Sequence, residues 1–286
     1  MEKEVAAKLS ILSNFSLIVL KFIAGTISGS IGIISEAIHS GSDLLASIIT
    51  FFSVTESAKP ADNDHQFGHG KYEDFAGLIE GSLIIFASFY IIYEAVKKII
   101  SPSLEDMNVG VGLVVMFISV VANIFISRLL FKVAKKTDSA ALYADGEHLR
   151  TDIYSSLAVF VGLVFVKITG NHIYDPIIAI VVAIIIFSAG AKICEKAKNN
   201  LLDGSLSENE KSQIEEIISE HIGEDIISLK HLRTRKAGMK KNIVLTLIVH
   251  RELHISTAHD LCDKIEDQIE EQLQNTDVTI HLEPHN

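Results

Sequence analysis

The feature that most limits what this chain can fold into is a run of long apolar blocks that stops near residue 200. Six blocks qualify, at roughly 8–29, 31–55, 75–99, 109–133, 141–168 and 173–194. About twenty apolar residues cross a bilayer core as a helix, which satisfies every backbone donor and acceptor within the segment. Residues 177–191, IIAIVVAIIIFSAGA, are the plainest case. Block five opens with Asp145, Glu147, His148, Arg150 and Asp152, so a hydropathy window is expected to miss its start. A mean hydropathy of +0.34 over 286 residues fits a membrane protein better than a soluble one. The expected organisation is a six-helix transmembrane domain, 1–204, followed by a soluble domain, 205–286.

Lys and Arg mark one side of the membrane. Lys59 and Lys71 lie between blocks two and three, Lys132, Lys135 and Lys136 between four and five, and Lys192, Lys196 and Lys198 at the end of six. The alternate connections, GTISGS, SPSLEDMN and TGNHIYD, carry none. The positive-inside rule then puts both termini in the cytoplasm of a multi-pass inner or plasma membrane protein. The charged start, MEKEVAAK, runs into the first block without a cleavage site, so no separate signal peptide is expected. Cys194 and Cys262 form no CxxC pair. The net charge of −11 gives no reason to expect a nucleic-acid partner.

Beyond residue 205 the periodicity changes. Residues 207–222 and 256–273 have helical spacing, while SLKHLRTR, KNIVLTLIVH and DVTIHLE read as strands. The order α-β-β-α-β predicts a small ferredoxin-like, metallochaperone-like α+β layer, to which dimerisation would add buried area.

Blocks two and five contain ionisable residues where lipid demands apolar ones. His39 and Asp43 stand at i and i+4, and HLRTD repeats the spacing with His148 and Asp152. Residues so spaced stack on one helix face, about 5–6 Å apart at Cβ. Asp43 is about twelve residues from the outer end of its block and Asp152 about eleven from the inner end of its own, so the pairs share a depth. Two imidazoles and two carboxylates suit tetrahedral Zn²⁺, and two aspartates cancel its charge, lowering the cost of burial. Protons can replace the ion, because protonation and metal binding compete for the same atoms. One HxxxD pair alone reads more simply as helix–helix hydrogen bonding; two at matching depth favour a metal. Glu147 is rotated about 100° from His148 and is not expected to be a ligand. Glu36, one turn outward of His39, either lines an exit cavity or makes a structural hydrogen bond.

These features resemble the cation diffusion facilitators, dimeric divalent-metal/proton antiporters, and the resemblance runs nearly end to end. ADNDHQFGHGKYE (61–73) and KHLRTRKAG (230–238) are similar to the zinc/iron-type bacterial members. The family's trend associates histidine at the first HxxxD position, here His39, with zinc, leaving Fe²⁺, Mn²⁺, Cd²⁺ and Co²⁺ as alternatives. From spacing alone, Asp62, His65 and His69 form either a solvated loop or three ligands of a second site; the resemblance implies the site. It also implies a charge pair between Lys71 and Asp203 at the dimer interface. In the cytosolic domain it implies metal ligands at His231, His259, His281 and Glu283. A further family ligand corresponds to Thr246, and His250, read as lying farther along the same strand, is the substitute proposed for it.

The function expected is a secondary transporter, not an enzyme. It would export a divalent cation, Zn²⁺ first, against protons as a homodimer, with metal on the cytosolic domain as regulator and no organic cofactor. An intramembrane hydrolase fits poorly: four protein ligands close the zinc tetrahedron, and there is no HExxH. A membrane metal sensor without transport would share every ligand.

Overall fold

The computed structural model describes residues 2–28, 31–100, 109–169, 174–223 and 225–285. Side chains of 31–39 and 158–169, with several shorter stretches, lie outside that description. The chain divides into two compact units, Met1–Lys198 and Asn199–Asn286.

The first unit is built from six helices: α1 (Glu2–Ser28), α2 (Ile31–Ser57), α3 (Lys71–Ile100), α4 (Val109–Thr137), α5 (Ala140–Thr169) and α6 (Tyr174–Leu201), whose last turn runs past the unit's end. Among the described residues four of these are long and apolar enough to cross a membrane, within α1, α3, α4 and α6. The other two, α2 and α5, carry the HxxxD pairs, and α5 opens with the charged run that dilutes its hydropathy. Six crossings are thus more than apolarity alone establishes here.

The unit buries polar groups among its apolar clusters and leaves large apolar side chains outside. Phe86, Phe117 and Phe125 are exposed, while Ser10, Asn14, Ser47, Thr50, Glu80 and Asp145 are buried. Such a wide exposed apolar surface suits lipid and would be a liability in water. Small residues allow close approach: a Cβ on Gly190 would sit 3.0 Å from Gly81 O and 3.0 Å from Ile84 Cγ2, so α3 and α6 meet nearly backbone to backbone. The α4–α5 turn is tight. Asp138 takes a left-handed φ of 49°, Ser139 N–H donates to Ala134 O, and the Ser139 hydroxyl accepts from Leu142 N. Near that turn, buried Glu73 accepts hydrogen bonds from Lys3, Ser57 and Ser139, joining three helices and the turn on one carboxylate.

The second unit follows the expected order, α7 (Glu208–His221), β1 (Ile226–Ala237), β2 (Lys240–Val249), α8 (Ile255–Gln272) and β3 (Thr276–Pro284). A capping box starts α7: Ser207 Oγ accepts from Glu210 N, and the Glu210 carboxylate accepts from Ser207 N at 3.0 Å. Gly238, at φ +60°, turns β1 into an antiparallel hairpin with β2. The crossover through α8 sets β3 parallel on the other side of β2, giving the order β1-β2-β3. Alternation along β2 buries Ile243, Leu245 and Leu247 against Ile214, Ile217 and Ile218 of α7 and Ile265 and Ile269 of α8. Val244, Thr246 and Ile248 point to the opposite face, away from the cluster that α7 and α8 build with the sheet among the described residues.

Candidate metal centre

One turn of α2 and two turns of α5 supply the central site. His148 and Asp152 lie on one face of α5, and α2 presents Asp43 to them. His148 Nε2 is 3.2 Å from Asp43 Oδ1. One ligand atom from each of Asp43, His148 and Asp152 falls within 4.8 Å of the others. Asp43 and His148 are buried, so one nitrogen and two carboxylates converge where water is scarce. That donor set suits a borderline divalent cation. The fourth expected ligand, His39, is placed in α2 one turn before Asp43, but its side chain, like that of Glu36, lies outside the described residues. Glu147 turns to Arg150, 3.2 Å away, as its rotation predicts.

A polar framework holds Asp43 in place. Asn14 Nδ2 donates to the Asp43 carbonyl at 3.3 Å and to Ser47 Oγ at 2.8 Å. Ser47 Oγ donates to Asp145 Oδ1 at 3.1 Å, and Thr50 Oγ1 donates to Glu80. Asp145 and Glu80 are fully buried, and neither is among the ligands expected from the sequence, where Asp145 enters only in the charged start of block five. Glu80 is ionisable, the tenth residue of an otherwise largely apolar α3, and seven residues after Glu73 on the same stripe, a signal the sequence does carry.

The loop site forms from one short segment. Asp62, His65 and His69 have ligand atoms within 4.8 Å of one another. Asp62 Oδ1 accepts from the backbone N–H groups of His65 at 2.6 Å and Asp64 at 3.0 Å, an Asx turn that folds the loop back. Hydrogen bonding from the His65 N–H holds the exposed Asp62 carboxyl below its ordinary value. His69 Nδ1 lies 3.2 Å from Pro60 O, and Nε2 lies 3.3 Å from Asp62 Oδ2. A proton on Nδ1, donated to that carbonyl, leaves the Nε2 lone pair facing the site. Gly68, at φ +82°, makes the turn between the two histidines.

The cytosolic ligand set is spread over both faces of the sheet. His231, Thr246 and His281 are direct neighbours across β1, β2 and β3, on the face opposite α7 and α8. His259 lies on α8, on the opposite face, where it is mostly exposed and 3.2 Å from Asp263. Glu283 pairs with Lys230 at 2.6 Å, which holds its carboxyl below the ordinary range. His250 does not extend β2 as expected. The strand ends at Val249, and His250 enters a turn, donating its N–H to Asp225 O and accepting from Leu253 N. Among the described residues no three of these groups converge within one protomer. Lys71 belongs to the first unit and Asp203 to the second, where Asp203 meets Arg235 at 3.5 Å.

A buried cluster of nitrogen and oxygen donors in a bundle of apolar helices, joined to a small α+β domain, fits the class of membrane proteins that handle metal cations. Residues 7–202 match the cation efflux transmembrane domain and residues 206–285 the cation efflux protein cytoplasmic domain. The chain belongs to the cation efflux, or cation diffusion facilitator, family of transporters. It is 33% identical over 280 residues to the uncharacterized transporter sll1263 of Synechocystis, covering 97% of this chain and 89% of that protein. It is 28% identical over 281 residues to the cation-efflux pump FieF of Shewanella oneidensis, covering 98% of this chain and 94% of the pump. A solved chain of CzrB, 28% identical, aligns to 28% of this chain and 99% of its own length with a TM-score of 0.27.

Proposed function

We propose that this transporter exports a divalent cation, Zn²⁺ first, from the cytoplasm in exchange for protons. The observation that carries the reading is the convergence of Asp43, His148 and Asp152 between α2 and α5. In this reading His39 completes a tetrahedral set, and both α2 and α5 cross the membrane with the other four helices. Two aspartates neutralise the dication, so the loaded site is neutral. Once the ion leaves, the same carboxylates and imidazoles need protons to stay buried, which couples the two fluxes. Alternating access follows if the bundle rocks about this fixed site. Both termini face the cytoplasm of the cell membrane, and the boundary near residue 204 separates transport from regulation.

Asp62, His65 and His69 hold a second ion at the membrane surface. Because the sheet separates His259 from His231 and His281, the cytosolic site assembles between two protomers, with Glu283 beside His281. Metal flux in proteoliposomes under an imposed pH gradient tests the whole reading, with Mn²⁺, Fe²⁺ and Cd²⁺ beside Zn²⁺. Zinc entry that drives opposite proton movement supports it; tight binding without flux overturns it in favour of a sensor.

A further inference from the structure

Between α3, α5 and α6 lies a cavity of about 530 Å³ that takes no part in either metal cluster. Its lining combines apolar Ile184, Ile185 and Ile193 with basic Lys192, Lys196 and Arg150. Glu147 is the acidic member of the lining, and it is paired with Arg150 at 3.2 Å. The Arg150 guanidinium also lies 5.5 Å from the Phe131 ring and 5.6 Å from the Tyr154 ring, so it is held as part of the wall. That pair cancels, which leaves the charges of Lys192 and Lys196. Lys196 Nζ lies 5.6 Å from the Tyr143 ring, and neither exposed lysine has a carboxylate partner among the described residues.

The order along α6 separates the two kinds of lining. Ile185, Ala189, Lys192 and Lys196 stand at i, i+4, i+7 and i+11 on one stripe. Lys192 is therefore about 10 Å along the helix axis from Ile185. Exposed Ile177, Val181 and Ile184 continue the apolar surface away from the lysines. A pocket that is cationic at one end and apolar at the other complements a lipid, whereas a soluble anion would leave the apolar part unused. The lysines stand near the end of α6 that carries a lysine-rich connection. The positive-inside rule puts that end at the cytosolic leaflet, whose lipids include anionic ones.

We infer that this cavity binds the headgroup of an anionic phospholipid, with Lys192 and Lys196 on its phosphate and an acyl chain along Ile184 and Ile185. The choice of leaflet rests on the topology proposed above. Binding itself is read without flux, so failure of the transport reading and failure of this site are distinguishable.

The chain contains no tryptophan, so a single one reports its own surroundings. Val181 is exposed and one turn from both Ile184 and Ile185, and Val181→Trp leaves the lining of the cavity unchanged. The full-length variant is reconstituted into phosphatidylcholine vesicles that contain a fraction of acyl-brominated phosphatidylglycerol or, separately, acyl-brominated phosphatidylcholine. The anionic lipid is expected to quench at a mole fraction about tenfold lower, since each lysine near an anionic lipid contributes a few-fold in affinity. Adding K192Q/K196Q should abolish that preference. K132Q/K135Q, which removes two lysines near the end of α4, should keep it. Equal quenching by the two lipids, quenching by neither, or a preference that survives K192Q/K196Q overturns the site. Equal loss in K132Q/K135Q shows a general attraction to the charged surface and overturns it too. Loss of the preference in excess inorganic phosphate assigns the lysines to a soluble anion and overturns the lipid. Should the double variant misfold, K192Q alone provides the same readout.

Discussion

His148 Nε2 lies 3.2 Å from Asp43 Oδ1, so one side-chain contact ties α5 to α2 across 105 positions of sequence. Without an ion this is a hydrogen-bonded His–Asp pair; in the proposed loaded state both atoms become ligands. The same contact therefore stabilises the unloaded bundle and reports its loading.

Asp152→Ala or His148→Ala is expected to abolish zinc flux, because either change leaves the proposed site under-coordinated and Asp152→Ala also leaves it net-charged. The bundle should stay folded, since Asn14, Ser47 and Asp145 still bridge α1, α2 and α5. Flux above about a tenth of wild type, one decade of rate, in either variant would contradict the ligand assignment.

In the loop, Asp62→Asn should remove the surface ion while leaving most of the flux. Asp62 is both the carboxylate that faces His69 Nε2 and the acceptor that folds the turn. Since the His65 N–H keeps the Asp62 carboxyl below its ordinary value of 3.8, that group stays charged as pH falls from 7 to 4. Acid release of the loop ion over this range therefore does not come from Asp62. Equilibrium metal binding against pH in wild type checks both points.

The strand register makes a prediction for the cytosolic domain. Thr246 stands between His231 and His281 on adjoining strands. Thr246→His should tighten zinc binding about tenfold or more, a typical gain for one well-placed group, while His281→Ala should weaken it. Isothermal titration of the dimer decides; no change in either variant would show that this face of the sheet does not bind metal.

Acid stability has a local source at the start of α7. Burial pushes the Glu210 carboxyl up, but hydrogen bonds from Ser207 and Lys241 outweigh it and leave the group below its ordinary 4.5. A lowered folded value adds stability above pH 4.5, and that contribution is lost as pH falls through the folded value. Glu210→Gln should flatten this acid limb, and Ser207→Ala should cost about 1 kcal/mol at neutral pH. Urea melts of residues 199–286, a unit with its own core, at several pH values measure both.

Close helix contact sets a further limit. Gly190→Ala places a methyl 3.0 Å from Gly81 O, a backbone atom that cannot rotate away. Overpacking of this kind costs about 1–3 kcal/mol, so the melting temperature of the variant in detergent should fall by several degrees.

Much of this protein is legible in one dimension. Twenty-residue apolar runs can only be helices in lipid, and period-two alternation in KNIVLTLIVH determined which residues of β2 face the core. The i, i+4 spacing put His148 and Asp152 on one face before any contact was known, and the DxxH–HxxxH loop closes locally because its ligands are only seven residues apart. The end of β2 was misread because His250 continues the alternation, whereas its N–H bonds to Asp225, a partner outside the strand. Only tertiary structure could reveal that Ser47 and Thr50 of α2 reach Asp145 and Glu80, or that the sheet parts His259 from His231 and His281. Periodicity is a property of neighbours along the chain and fixes which face a residue occupies. Which faces then meet depends on helix packing and strand order, and those are decided by contacts between residues far apart in sequence.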